Sequence, residues 1–175
     1  MEYHRVIPSP IGEILLTATE NALCGLSFSP FPLPVDFADN AILREAAQQL
    51  EAYFAGRLKV FSLPLSLHVS PFQRKILQAC AEIPYGTVCS YGTLAAWAGS
   101  PHASRAAGGA LHTNPIGIII PCHRVVGADG RLTGYGGGMW RKLWLLRHEG
   151  ISLCDDETRC VSVPAAAIPE PAPRA

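Results

Sequence analysis

Ile116-Gly117-Ile118-Ile119-Ile120-Pro121-Cys122-His123-Arg124 is the stretch on which the reading of this chain turns. Its first five residues are apolar, four of them β-branched, which is the pattern of a strand buried on both faces. Pro121 bends the backbone where the run stops. Cys122 is therefore expected at a strand end, rigidly held and presented to whatever lies beyond it. His123 and Arg124 follow at once, and both favour the thiolate over the thiol. That combination describes a nucleophile, although a single Cys-His pair also fits a packed core thiol.

Outward from this stretch the chain divides by pattern. Short extended segments at 3–7, 13–19 and 23–28, separated by turn residues at 8–12 and 20–22, predict an antiparallel meander. A helix follows over 39–55, with Ile42, Ala46, Leu50 and Tyr53 at helical spacing and Gly56 as its stop. Residues 61–69 read as a linker. At Ser70-Pro71-Phe72-Gln73 a second helix opens, with Ser70 as cap, Pro71 at the first position and Gln73 completing a capping box. Two short helices at 91–98 and 100–111, joined across Gly99, form a helix-turn-helix. A last helix is expected over 139–148. The fold class is α+β: a small N-terminal antiparallel sheet with a helix (1–69), then a mostly helical domain (70–150), then a flexible tail (151–175) rich in Ala and Pro.

The 175 residues are nearly half apolar and only 16% charged, so a real core can form. No run approaches the roughly 18 to 20 apolar residues of a membrane span, and the first residues lack a signal peptide's apolar stretch. A cytoplasmic protein is expected, or a nuclear one in a cell with a nucleus. Six cysteines without a C-x-x-C pair read as reduced thiols. His4, Cys24 and His68 are candidate zinc ligands, but none are closely spaced, so no metal is expected. Net charge is zero, yet residues 70–150 carry eight basic and three acidic groups, while residues 1–69 carry four and seven. A polyanion would be held by the central segment.

Six pieces in order, SPFQ (70–73), IPYGTVCSYGTLA (83–95), SRAAGGAL (104–111), NPIGIIIPCHRVVG (114–127), LTGYGGG (132–138) and RKLWLLRHEG (141–150), resemble the C-terminal domain of the O6-alkylguanine-DNA alkyltransferases. The resemblance implies direct-reversal DNA repair: an irreversible, stoichiometric transfer of the alkyl group from O6-alkylguanine, less readily O4-alkylthymine, to Cys122. It implies no cofactor and no obligate protein partner. Catalytic roles carry over to Cys122, to His123 acting through a water, to Glu149 orienting that histidine, and to Tyr91 donating to the guanine ring. Asn114, Pro121 and Arg124 support the site. The second helix of the pair is implied to lie in the minor groove of double-stranded DNA, with Arg105 filling the space of a flipped base. Gln73, Gly92, Ala103 and Ser104 carry over as further DNA contacts, and Tyr135 and Gly136 as pocket wall. Two rival readings are a lesion-binding protein without transfer, which would replace the acceptor cysteine, and a DNA-binding regulator, which would carry a cysteine-rich metal module.

Overall fold

The computed structural model describes residues 1–34 and 36–160. Two compact units emerge, Met1–His68 and a second beginning at Val69. In the first, β1 (Tyr3–Ile7), β2 (Ile14–Ala18) and β3 (Leu23–Phe28) form the antiparallel meander in the order β1-β2-β3, with a register shift at Thr17/Ala18. Ile14, Leu16 and Ala18 alternate along one face of β2 and are fully buried, as the period of two requires. Helix α1 (Ala41–Phe54) covers the sheet with Leu43, Ala46, Leu50 and Tyr53. Burial of Leu43 and of Leu50 stabilises the unit by about 1.5–3 kcal/mol each. Asn40 caps α1, accepting from Leu43 N at 2.9 Å while its amide donates to Thr19 O at 2.9 Å.

Residues 61–66 run along this unit rather than bridging freely, which corrects the linker expectation. Leu23 N donates to Pro64 O at 2.8 Å and Ser66 N to Leu23 O at 2.9 Å. Gln49, buried on α1, exchanges hydrogen bonds with Ser62. Backbone polar groups beside an edge strand find partners there.

The second unit begins with α2 (Pro71–Ala81), capped by Ser70 Oγ, which accepts from Gln73 N at 3.1 Å. The capping box stays open. Gln73 Nε2 donates instead to Ala110 O, Thr113 O and Thr113 Oγ1. Those carbonyls close a helix C-terminus and would otherwise lack donors, so the glutamine ties two helices together.

The strand β4 (Cys89–Ser90) leads into α3 (Tyr91–Trp97), where Ser90 Oγ caps Thr93 N. Helix α4 (Ser104–His112) starts later than expected: Ser100-Pro101-His102 form a turn, closed by Ala103 N to Ser100 O, and no side chain caps α4. The serine and proline there serve the turn between the two helices. Ala107, Ala110 and Leu111 turn inward, and α2 packs against both α3 and α4.

The apolar run 116–120 is not a strand. Ile120 N donates to Ile116 O, Ile118 adopts φ 69°, and the chain folds into a tight turn. Asn114 closes it at both ends, accepting from Ile116 N at 3.0 Å and donating to Ile120 O at 2.9 Å. A 3-10 turn (Cys122–Arg124) follows, then β5 (Val125–Val126), which pairs parallel with β4, then α5 (Met139–His148). Residues 151–160 pack back onto the unit. Leu153 bridges Cys160, Arg131 bridges Arg159, and Cys160 is buried with Val88, Val126 and Leu146. The part of the expected tail within the described residues is thus held in place, and 161–175 lie outside them.

Candidate active site

Cys122 sits at the first position of the 3-10 turn, 8% exposed, on the wall of a pocket of about 380 Å³. Three pieces of chain complete the pocket. Tyr91 comes from the start of α3; Ser104, Arg105, Gly108, Leu111 and His112 come from α4; residues 133–136 form the loop opposite. Among the expected DNA contacts, Ser104 and Arg105 line this pocket and are exposed, whereas Gln73 is spent on α4, Ala103 precedes that helix and Gly92 lies on the exposed side of α3. Gly136 has a steric reason to be glycine. A Cβ there would stand 2.9 Å from His112 O.

Beside Cys122 lies a buried polar cluster. His123 Nε2 and Glu149 Oε1 are 2.8 Å apart, with both side chains fully buried. Arg124 grips the same carboxylate twice, Nε to Oε2 and Nη2 to Oε1, each 2.8 Å, and its Nη1 donates to Ile83 O at 2.6 Å. Burial pulls the Glu149 carboxyl upward, but the charges and hydrogen bonds of His123 and Arg124 outweigh it and leave it well below the ordinary carboxylate range. An ionised carboxylate only accepts, so His123 Nε2–H donates. Burial holds His123 below its ordinary value, against the pull of Glu149. The imidazole is therefore neutral near pH 7, and Nδ1 keeps its lone pair. That atom is buried without a hydrogen-bond partner among the described residues.

Arg124 was expected to favour the thiolate, but its charge is taken up by Glu149. The cation that acts on Cys122 is Lys142, which nothing in the short motifs singled out. Its ammonium is buried in α5, donating to Val125 O at 2.8 Å and Thr133 O at 3.3 Å. Burial pulls Lys142 down to about 8, opposed by Cys122, Cys160 and Cys80. Burial likewise pushes the Cys122 thiol up, and Asn114, Lys142 and Tyr135 pull it back toward the thiolate. A helical count would have found Lys142: residues 142, 145, 146 and 149 share one face, and all four are buried. Thr133 was also missed. Its Oγ1 lies 2.7 Å from Tyr91 Oη. Among the described residues no three His, Cys, Asp or Glu side chains converge as a metal site.

Two family models match nearly all of the first unit and most of the second. Residues 3–67 match the 6-O-methylguanine DNA methyltransferase, ribonuclease-like domain, and residues 71–151 match the DNA binding domain of the same family. The chain belongs to the 6-O-methylguanine DNA methyltransferase family. It is 47% identical to the methylated-DNA–protein-cysteine methyltransferase of Methanosarcina barkeri over 84% of this chain and 96% of that protein. Against the Mycobacterium leprae protein of the same name identity is 45%, over 85% and 93%. The crystal structure of Mycobacterium tuberculosis O6-methylguanine methyltransferase superposes with a TM-score of 0.78 at 43% identity, covering 85% of this chain and 93% of that one. A structure of the Mycobacterium tuberculosis OGT in complex with DNA gives 0.78 at 44%, covering 84% and 92%. Family membership supplies what geometry alone leaves open, namely that the chain is a DNA alkyltransferase.

Proposed function

We propose that this protein repairs DNA by taking the alkyl group of O6-alkylguanine onto Cys122, once per chain. The carrying observation is Cys122 on a base-sized pocket with the His123–Glu149–Arg124 cluster beside it. Burial keeps the resting sulfur as a thiol, so a base is needed. Glu149 fixes the tautomer that leaves His123 Nδ1 as an acceptor, and a water passes the Cys122 proton to it. The thiolate attacks the alkyl carbon in line. A sulfur–carbon bond forms, the carbon–O6 bond breaks, and its electron pair stays on the purine. Tyr91 donates a proton to a ring nitrogen as that charge develops. Tyr91 regains its proton from solvent and the His123 imidazolium returns one to solvent, so that the net change moves the thiol proton to guanine. The thioether has no hydrolytic exit, so turnover stops at one.

The base reaches the sulfur only after leaving the stack, so flipping is part of the proposal. Helix α4 would lie in the minor groove with Arg105 entering the vacated position, a sequence-blind arrangement suited to inspecting any guanine. Gly92, Ala103 and Ser104 would follow the backbone, and Gln73 would act by fixing α4. Because Cys122 must stay reduced, we place the protein in the cytoplasm, or the nucleus where there is one.

Intact-protein mass spectrometry with excess duplex DNA containing O6-methylguanine tests this. A gain of a single methyl group, mapped to Cys122 and absent in Cys122→Ser, is expected. Lesion-selective binding without mass gain would make the chain a damage sensor instead.

A further inference from the structure

We infer that Thr133 is a positioning residue for the transfer, aiming the Tyr91 hydroxyl at the extruded base; this rests on the alkyltransfer reading above. The Tyr91 Oη and Thr133 Oγ1 atoms lie 2.7 Å apart across the pocket, joining α3 to the loop opposite. Either hydroxyl is able to donate in that pair. The choice between the two states has chemical weight. If Tyr91 donates to Thr133, its proton points away from any base. If Thr133 donates, Tyr91 Oη is the acceptor, and the phenol proton is free to turn into the pocket. Hydrogen bonds in a chain polarise one another, so a phenol that accepts is also a stronger donor.

Both partners are held from behind. The Tyr91 ring sits at the first turn of α3, whose Ser90 cap fixes the helix start, and Gly108 of α4 lies along the ring, close enough that an added Cβ would touch it at 3.7 Å. Thr133 is anchored through its carbonyl, which accepts from the buried Lys142 ammonium at 3.3 Å. The same ammonium donates to Val125 O, in the residue that follows the Cys122 turn. One buried cation therefore sets the threonine in register with the nucleophile. A phenol proton otherwise has two orientations in the ring plane, and the Thr133 contact selects between them.

Single-turnover transfer from saturating O6-methylguanine duplex tests the inference, with Thr133→Val removing the hydroxyl at nearly constant shape and Thr133→Ser retaining it. The expected result is a roughly tenfold slower transfer for Thr133→Val, the worth of one hydrogen bond. DNA affinity should stay within about twofold under the same logic, and Thr133→Ser should restore the rate. In a Tyr91→Phe background Thr133→Val should add nothing, because its effect runs through that hydroxyl. Thr133→Ala, which fits any local packing, should repeat the Thr133→Val result if the valine variant folds poorly. A wild-type rate in Thr133→Val, or the same fractional loss with and without the Tyr91 hydroxyl, overturns the inference. A wild-type chain that gains no methyl at all overturns the alkyltransfer reading itself, and the inference falls with it.

Discussion

His123 Nε2 stands 2.8 Å from Glu149 Oε1 in a fully buried contact between residues 26 positions apart. The same carboxylate is held by Arg124 through two further 2.8 Å bonds. One acid thus neutralises a cation and sets the tautomer of a base. Packing positions and proton chemistry are coupled at this point.

Replacing Glu149 by Gln would leave the Arg124 guanidinium buried without its counter-charge, at a cost of about 3–5 kcal/mol. Urea denaturation should show that loss, and transfer should slow because an amide no longer dictates the imidazole tautomer. The wild-type pH profile follows from the two shifts. His123 has a folded value below its unfolded one, so the unfolded chain binds the extra proton and stability declines as pH falls below about 6.5. Glu149 is also depressed. Its contribution is complete above the unfolded value of about 4.3 and is lost as pH falls through the lower folded value. Glu149→Gln should lack this second, acid-side decline.

Lys142→Met should make Cys122 harder to ionise, since the buried ammonium is a charge that favours the thiolate. The rate of iodoacetamide labelling at Cys122, followed against pH, should move its midpoint upward. Lys142 by itself contributes a rise in stability between about pH 8, its folded value, and the unfolded value of about 10.4, set against the fall that the raised thiols of Cys80, Cys89, Cys122 and Cys160 produce over the same range. There the unfolded chain binds a proton that the folded one has released. In Lys142→Met that rise should be absent.

Arg105→Ala should slow repair of duplex DNA by about tenfold or more while reaction with free O6-benzylguanine changes little. Arg105 lines the pocket from an exposed position on α4, whereas the His123 and Glu149 side chains are fully buried. Equal losses on both substrates would show that the arginine acts inside the pocket and not on the duplex.

Gly136→Ala places a methyl 2.9 Å from His112 O, so the loop or the end of α4 must move. A loss of about 1–3 kcal/mol in thermal or urea unfolding is expected, with slower transfer. Gly109→Ala is the opposing control. It faces open space within α4, and helix propensity predicts a gain of up to about 1 kcal/mol.

Much of the architecture was legible because it rests on local rules. The three strands of the meander lie between the turn residues that separate them, and α5 runs from Met139 to His148 as expected. Ser70 caps α2 as expected, because a serine oxygen satisfies an orphan amide three residues on, and Ser90, which the sequence reading did not name, caps α3 by the same rule. The errors fall where partners are distant. A run such as 116–120 states that its side chains are buried, and says nothing of φ and ψ. Asn114 decides those by bonding both ends of the turn. Gln73 matches a capping box by spacing, but the unsatisfied carbonyls of α4 win its amide.

The motif around Cys122 pointed to the family and to the proposed nucleophile, since residue types and their order are properties of the chain. The environment of that sulfur belongs to the folded state alone. Arg124 adjoins Cys122 closely in sequence, yet Glu149 absorbs its charge, and Lys142 supplies the cation from 20 positions away. Burial strengthens each of these electrostatic contacts by removing water, and only the packed tertiary structure determines which charges are buried together.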